Sequence, residues 1–186
     1  MKKEFEKKLK TKRNILKGIG VLEVTGGITG IGLILWLTLQ GMETNTYVFL
    51  ILLFAIGFYI YSIYAGVKLF KHTENDILHS RILQYLQILG ISLGGLTYIM
   101  TSGGYIFIGY NLTEGNVNFS FALIASKFQI NILNSDQGSF IYINILAVVV
   151  LILLEKSLSV IKEQKLVKEN YERNMTEFLT KSEETN

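Results

Sequence analysis

The stretch from Leu83 to Gly103, LQYLQILGISLGGLTYIMTSG, is 21 residues without a charge. Whether it crosses a bilayer as a helix decides the fold. A hydrocarbon core of roughly 30 Å takes about 20 apolar residues of helix to span, and this run has the required length. Three other runs share its character: Gly18 to Leu39, Tyr47 to Val67, and the shorter Phe140 to Leu154. Packing all four inside one small soluble core is not feasible for 186 residues. The expectation is an all-α membrane protein with four transmembrane helices forming a four-helix bundle.

Charge sets the expected orientation. Of the 18 Lys and Arg residues, 17 fall in the N-terminal arm, the second connection or the tail; only Lys127 lies in the third connection, and the first has none. Short connections rich in Lys and Arg stay in the cytoplasm. Both termini are therefore expected inside, in a multi-pass protein of the bacterial cytoplasmic membrane. Trp36, Tyr47 and Tyr105 then sit near the outer interface. The organisation that follows is a basic arm over 1–17, a transmembrane domain over 18–154 with an outer segment over 104–139, and a cytoplasmic tail over 155–186. Eight positive charges within the first 17 residues suit an anionic inner leaflet at about 1 kcal/mol for each nearby base. That setting, with a span directly behind the arm, argues against nucleic acid as a partner.

Composition excludes some chemistry. The chain has no Cys and no Pro, so disulfides, thiolate metal sites and thiol redox reactions are excluded. No glycine-rich phosphate loop, H-E-x-x-H or Ser/His/Asp constellation is present. No enzyme and no cofactor are expected.

Within the spans, small and ionisable residues carry the information. In lipid, close packing at small residues drives helices together. A GxxxG at Gly26 and Gly30 and another at Gly90 and Gly94 predict close contact between spans one and three, within one chain or across a homodimer. Glu23 shares a helical face with Gly27 and Gly30 and is expected to face other helices. An ionisable residue in a span is a functional candidate. It either exchanges a proton or cation during transport, or pairs structurally with Lys68 or Lys156, or with Gln84, Gln87 or Tyr64.

Outside the spans, His72, Asp76 and His79 fall at i, i+4 and i+7 if their connection is helical, a weak candidate for a metal site; the competing reading is a polar turn that caps the third helix through Asn75 or Asp76. The outer segment alternates. Val117, Phe119, Phe121 and Leu123 point one way, and Phe128, Ile130 and Ile132 repeat the pattern, which predicts a small extracytoplasmic β-hairpin turned through Ala125, Ser126 and Lys127, with Tyr105 to Tyr110 as a third strand. Its apolar face, Val117, Phe119, Phe121, Phe128 and Ile130, would rest on the membrane or bind an extracytoplasmic partner protein. Beyond Leu154 the spacing of Leu158, Ile161, Val167, Tyr171, Met175 and Phe178 predicts an amphipathic helix.

Two resemblances bear on function. Leu22-Glu23-Val24 in a Gly-rich first span is similar to small multidrug-resistance transporters, which implies a small transporter or channel using Glu23. Leu22 to Gly32, Ser102-Gly103-Gly104 with the alternating segment behind it, and Ile143-Asn144-Ile145-Leu146-Ala147 together resemble a four-span family of bacterial membrane proteins, particularly of Bacteroidota, for which no activity is implied. The expected role is non-enzymatic, in interaction, immunity or envelope stress, with transport through Glu23 as the alternative.

Overall fold

The computed structural model describes residues 2–41, 45–93, 96–131 and 138–184. Among them are four helices and six strands: α1 (Lys2–Leu39), α2 (Thr46–Leu69), α3 (Glu74–Ile88), β1 (Leu89–Leu93), β2 (Leu96–Thr101), β3 (Gly104–Asn111), β4 (Asn116–Leu123), β5 (Lys127–Asn131), β6 (Phe140–Asn144) and α4 (Ile145–Glu184). The strands form one antiparallel sheet in the order β4-β3-β6-β1-β2-β5. Among the described residues, only α1 and α2 are long and apolar enough to cross a membrane. The all-α, four-span, four-helix-bundle expectation is therefore wrong.

The reason lies in the stretch from Leu83 to Gly103. Only its first residues, to Ile88, are helical. From Leu89 the side chains alternate, Leu89-Gly90-Ile91-Ser92-Leu93 and then Leu96-Thr97-Tyr98-Ile99-Met100-Thr101, and an alternating run buries one kind of side chain on each face only as a strand. Gly103 and Gly104 adopt φ of +86° and +142°, where side-chain-bearing residues are strained, and they turn the chain from β2 into β3. The fourth expected span divides likewise: Phe140 to Asn144 is β6, and α4 then runs unbroken past residue 154 into the tail.

The expected hairpin is also rearranged. Its strands exist as β4 and β5, but they do not pair with each other; β4 pairs with β3 and β5 with β2. Joined by three residues, they form the two margins of a curled sheet.

Helix ends follow local chemistry. The Asn45 side chain caps α2 by accepting from the Val48 amide at 2.9 Å. Thr73 caps α3 through the Asp76 amide, one residue after His72 takes a left-handed φ of 59°. Two apolar clusters hold the assembly. Near the basic end of α1, Leu16 and Ile19 pack with Leu69, Ile77, Leu154 and Leu158. Towards the far end, Ile34 of α1 packs with Leu52, Ala55 and Tyr59 of α2, Leu83 of α3 and Met100 of β2. The arm of α1 lies antiparallel to α4, with Lys8 3.7 Å from Glu163 and Arg13 donating to Gln164 at 3.4 Å.

Candidate functional site

Glu23 lies where α1, α2, α3 and the sheet converge, and it is fully buried. Its Oε1 accepts from the Ser80 hydroxyl and, at 2.9 Å, from Gln84 Nε2. Ser80 and Gln84 are four residues apart, so one face of α3 presents both donors. The main chain of the same residue is engaged from α2: Ser62 Oγ donates to the Glu23 carbonyl at 2.8 Å and lies 2.7 Å from Ser102 Oγ. Ser62 has one hydroxyl proton, already given to the carbonyl, so Ser102 must donate in that pair. The Ser102 amide in turn donates to Gln87 Oε1 at 2.7 Å. Beside this chain, Ser126 Oγ donates to the Gly26 carbonyl at 2.6 Å and contacts Thr29 Oγ1 at 3.2 Å. A polar layer thus joins three helices to the β2–β3 and β4–β5 turns.

The glycines fix how closely these parts approach. A Cβ at Gly26 would fall on Gly103; at Gly27 it would meet Ile63 and the Tyr59 carbonyl; at Gly30, the Tyr59 ring. Gly90 lies in β1 against Ile99 and Tyr142, and Gly94 is outside the described residues. The expected contact between two GxxxG helices is therefore replaced by packing of α1 on α2 and on the β2–β3 turn, with Gly26 and Gly30 in close contacts within the chain.

The remaining candidates disperse. His72 precedes α3, so it does not share a helical face with Asp76 and His79. Asp76 accepts from Thr73 and lies 3.8 Å from Lys68, while His79 Nδ1 lies 3.3 Å from the Tyr61 hydroxyl and its ring meets Tyr64 edge-on. No group of three or more metal-ligating side chains occurs among the described residues. Burial pulls His72 below the usual histidine range, and Arg13 and Lys17 push the same way. A cleft at this end is lined by His72, Thr73, Asn75, Gln164 and Lys168, another by Glu4, Lys7 and Thr11; neither includes Glu23. On the sheet, Val117, Phe119 and Phe121 are exposed, whereas Phe128 and Ile130 on the same face pack against the α1–α2 cluster.

Of the partners expected for Glu23, Gln84 bonds it, whereas Gln87 accepts from the Ser102 amide, Lys68 lies beside Asp76 and Tyr64 packs on His79; no bond from Lys156 to Glu23 occurs among the described residues. Ser62, an isolated hydroxyl within a long apolar run, carried a signal of a buried bond, whereas Ser80, between His79 and Arg81, carried none. Close by, Arg81 pairs with Glu155 of α4 at 2.6 Å, with both side chains partly exposed. Arg81→Ala is expected to lower stability by no more than about 1 kcal/mol, read as a small shift in the thermal midpoint of the purified protein; a larger loss would place that pair among the main ties of the fold.

No family model, curated protein or solved structure matches the chain, so function is argued from geometry.

Proposed function

We propose that the chain is an integral protein of the bacterial cytoplasmic membrane, held by the α1–α2 hairpin with both termini in the cytoplasm, and that its role is non-enzymatic interaction. One observation carries the membrane reading. The apolar windows of α1 and α2 are only 39% and 33% buried, whereas a core helix of a soluble protein hides most of its surface. Ile28, Leu35, Leu50, Leu53 and Phe54 face outwards and suit lipid. The basic arm of α1 then meets the anionic leaflet.

The interaction reading rests on the end of α4. The helix continues well beyond its partner, because Glu163 already lies opposite Lys8 near the start of α1. Past that point Val167, Tyr171 and Met175 recur every four residues and are exposed, a stripe of the kind that helix-in-groove partners recognise. The transport reading draws no comparable support, since Glu23 Oε1 is held by Ser80 and Gln84 of α3 and the residue lines neither cleft described.

Alkaline carbonate washing of membranes tests the anchoring, and the protein is expected to stay in the pellet. Single cysteines in this cysteine-free chain test orientation. Gln40→Cys should react with an impermeant thiol reagent in spheroplasts, and Lys3→Cys only after permeabilisation. Release by carbonate sinks the membrane reading; labelling at Lys3→Cys alone reverses the topology.

A further inference from the structure

We infer that the outer face of the β-sheet is a lipid-contacting surface, seated against acyl chains beside the far half of the α1–α2 hairpin. The inference rests on the membrane reading above and deepens it.

Register fixes one face. Ile108 lies opposite both Phe119 and Ile143, and Tyr110 opposite Val117 and Ile141, so these side chains share a side of the sheet. Phe119 and Phe121 are 64% and 66% exposed. Where β2 and β5 continue that face, Tyr98, Met100, Phe128 and Ile130 turn onto the hairpin. One continuous apolar surface therefore runs from the hairpin onto the sheet. In a protein surrounded by water so large a patch calls for a covering partner.

Depth identifies the cover. The inner ends of the strands dock on α1 at Gly26 and Thr29, through Gly103 and Ser126. From Gly26 to Leu39 α1 rises roughly 20 Å at 1.5 Å per residue, and the eight residues of β3 extend roughly 26 Å at 3.3 Å per residue before tilt. Beyond Gly26, Tyr98 and Met100 of β2 and Phe128 and Ile130 of β5 join the cluster of Ile34, Leu52 and Ala55, so these strands accompany the far half of the hairpin. A hairpin that crosses the bilayer carries the sheet to membrane depth with it.

Charge agrees with this placement. Lys127, on the opposite face, reaches over the Tyr105 ring at 5.9 Å, and Glu114 lies in the β3–β4 turn at the far end beside Asn111 and Asn116. The strands' polar side chains, Asn118, Ser120, Thr97 and Gln129, share that opposite face with Tyr105, Phe107 and Tyr142, whereas the outer face from Val117 to Phe121 and from Ile141 to Ile143 is apolar, as strands in lipid require. Their main-chain groups must also be satisfied. The four central strands are paired on both sides. At the inner end of the margins, the Ile124 amide donates to the Gly103 carbonyl and the Lys127 amide to Thr101 Oγ1, both at 3.1 Å.

The test uses the full chain in vesicles of phosphatidylethanolamine and phosphatidylglycerol, with a fluorescent label at single cysteines. Ile108→Cys and Phe121→Cys probe the face, Phe54→Cys the hairpin, Ser120→Cys the opposite face and Glu114→Cys the far turn. Labels at 108 and 121 are expected to be quenched by nitroxide-bearing acyl chains as fully as at 54, and to be insensitive to aqueous iodide. The label at 114 should respond to iodide, and the label at 120 should escape the lipid quencher. Iodide quenching at 108 and 121 with lipid quenching at 54 overturns the inference and leaves the membrane reading standing. Iodide quenching at 54 as well overturns both. Shielding of 108 and 121 from both quenchers shows a protein cover, a second copy or another chain, and overturns lipid contact.

Discussion

Gly26→Leu is expected to lower the thermal midpoint of the purified protein by roughly 10 °C, which at 2–4 °C per kcal/mol for a chain of this size corresponds to about 3 kcal/mol or more. A Cβ at Gly26 would lie 1.9 Å from the Gly103 nitrogen and 2.4 Å from its Cα. Ordinary contact starts at 3.4 Å, so α1 and the β2–β3 turn would have to separate by 3.4 minus 1.9, or 1.5 Å. The obstacle is main chain, which cannot rotate aside as a side chain can. Overpacking commonly costs about 1–3 kcal/mol, and backbone against backbone belongs at or above the top of that range. Separation would also pull Ser126 from the Gly26 carbonyl and Ser102 from Ser62. Gly32→Leu is the control, since a Cβ there meets nothing within 4 Å. Gly103→Ala attacks the same contact from the other side, where its Cβ would lie 2.4 Å from the Leu22 carbonyl oxygen. The two losses should fall short of additive when combined, because both relieve one clash. Equal stability of Gly26→Leu and Gly32→Leu would mean that helix and turn do not meet as described.

That contact also shows where sequence reading reached its limit. Helices α1 and α2 were legible, because a long uninterrupted apolar run with basic flanks has few alternatives. Strands β4 and β5 were legible because Asn118, Ser120 and Gln129 interrupt the apolar residues at every second position, and β3 through its Tyr, Ile and Phe content. In β1 and β2 the alternation is equally regular, but Gly90, Ser92 and Thr97 are small and nearly neutral in hydropathy. Averaged over a window, the run therefore looks like a membrane helix. Periodicity, not mean hydropathy, separates the two. Gly103 and Gly104 were legible as glycines but not as turns, since helix packing and positive φ call for the same residue. The sheet order was not legible at all: β4 and β5 are adjacent in sequence, yet each pairs with a strand on opposite sides of the curl. For the site, the burial of Glu23 followed from its place among glycines on one helical face. Its donor from Ser80 depended on α3 ending at Ile88 and running close to α1, which local sequence does not state.

Glu23→Ala is expected to cost about 3–5 kcal/mol, close to the Gly26 effect and for a different reason. The substitution leaves the Ser80 hydroxyl and the Gln84 amide buried with no acceptor, and each stranded donor costs about 1–3 kcal/mol. A cavity where the carboxylate stood adds to the loss. Glu23→Gln separates these terms. It keeps an oxygen at the position that accepts both donors and nearly the same volume, but sets an amide NH2 where Oε2 is buried without a partner, so its cost should be about 1–2 kcal/mol, below that of alanine. In the membrane setting proposed above, a cycle of Glu23→Ala with Gln84→Ala should return a coupling of about 0.6 kcal/mol and no more than about 1.7 kcal/mol, the average and the maximum for hydrogen bonds between membrane helices. The single substitution should exceed that coupling, because removing one partner strands the other, whereas removing both does not. Stability is read from unfolding in mixed micelles, beside cation and proton flux through reconstituted vesicles. A large loss for Glu23→Ala, a smaller one for Glu23→Gln and unchanged flux in both identify Glu23 as the residue that binds α3 to α1. Equally mild effects of the two substitutions would remove that role. Flux present in the native chain and abolished in a stably folded Glu23→Gln variant would establish transport instead, because only a carboxylate that releases its proton or cation needs the oxygen that the amide replaces.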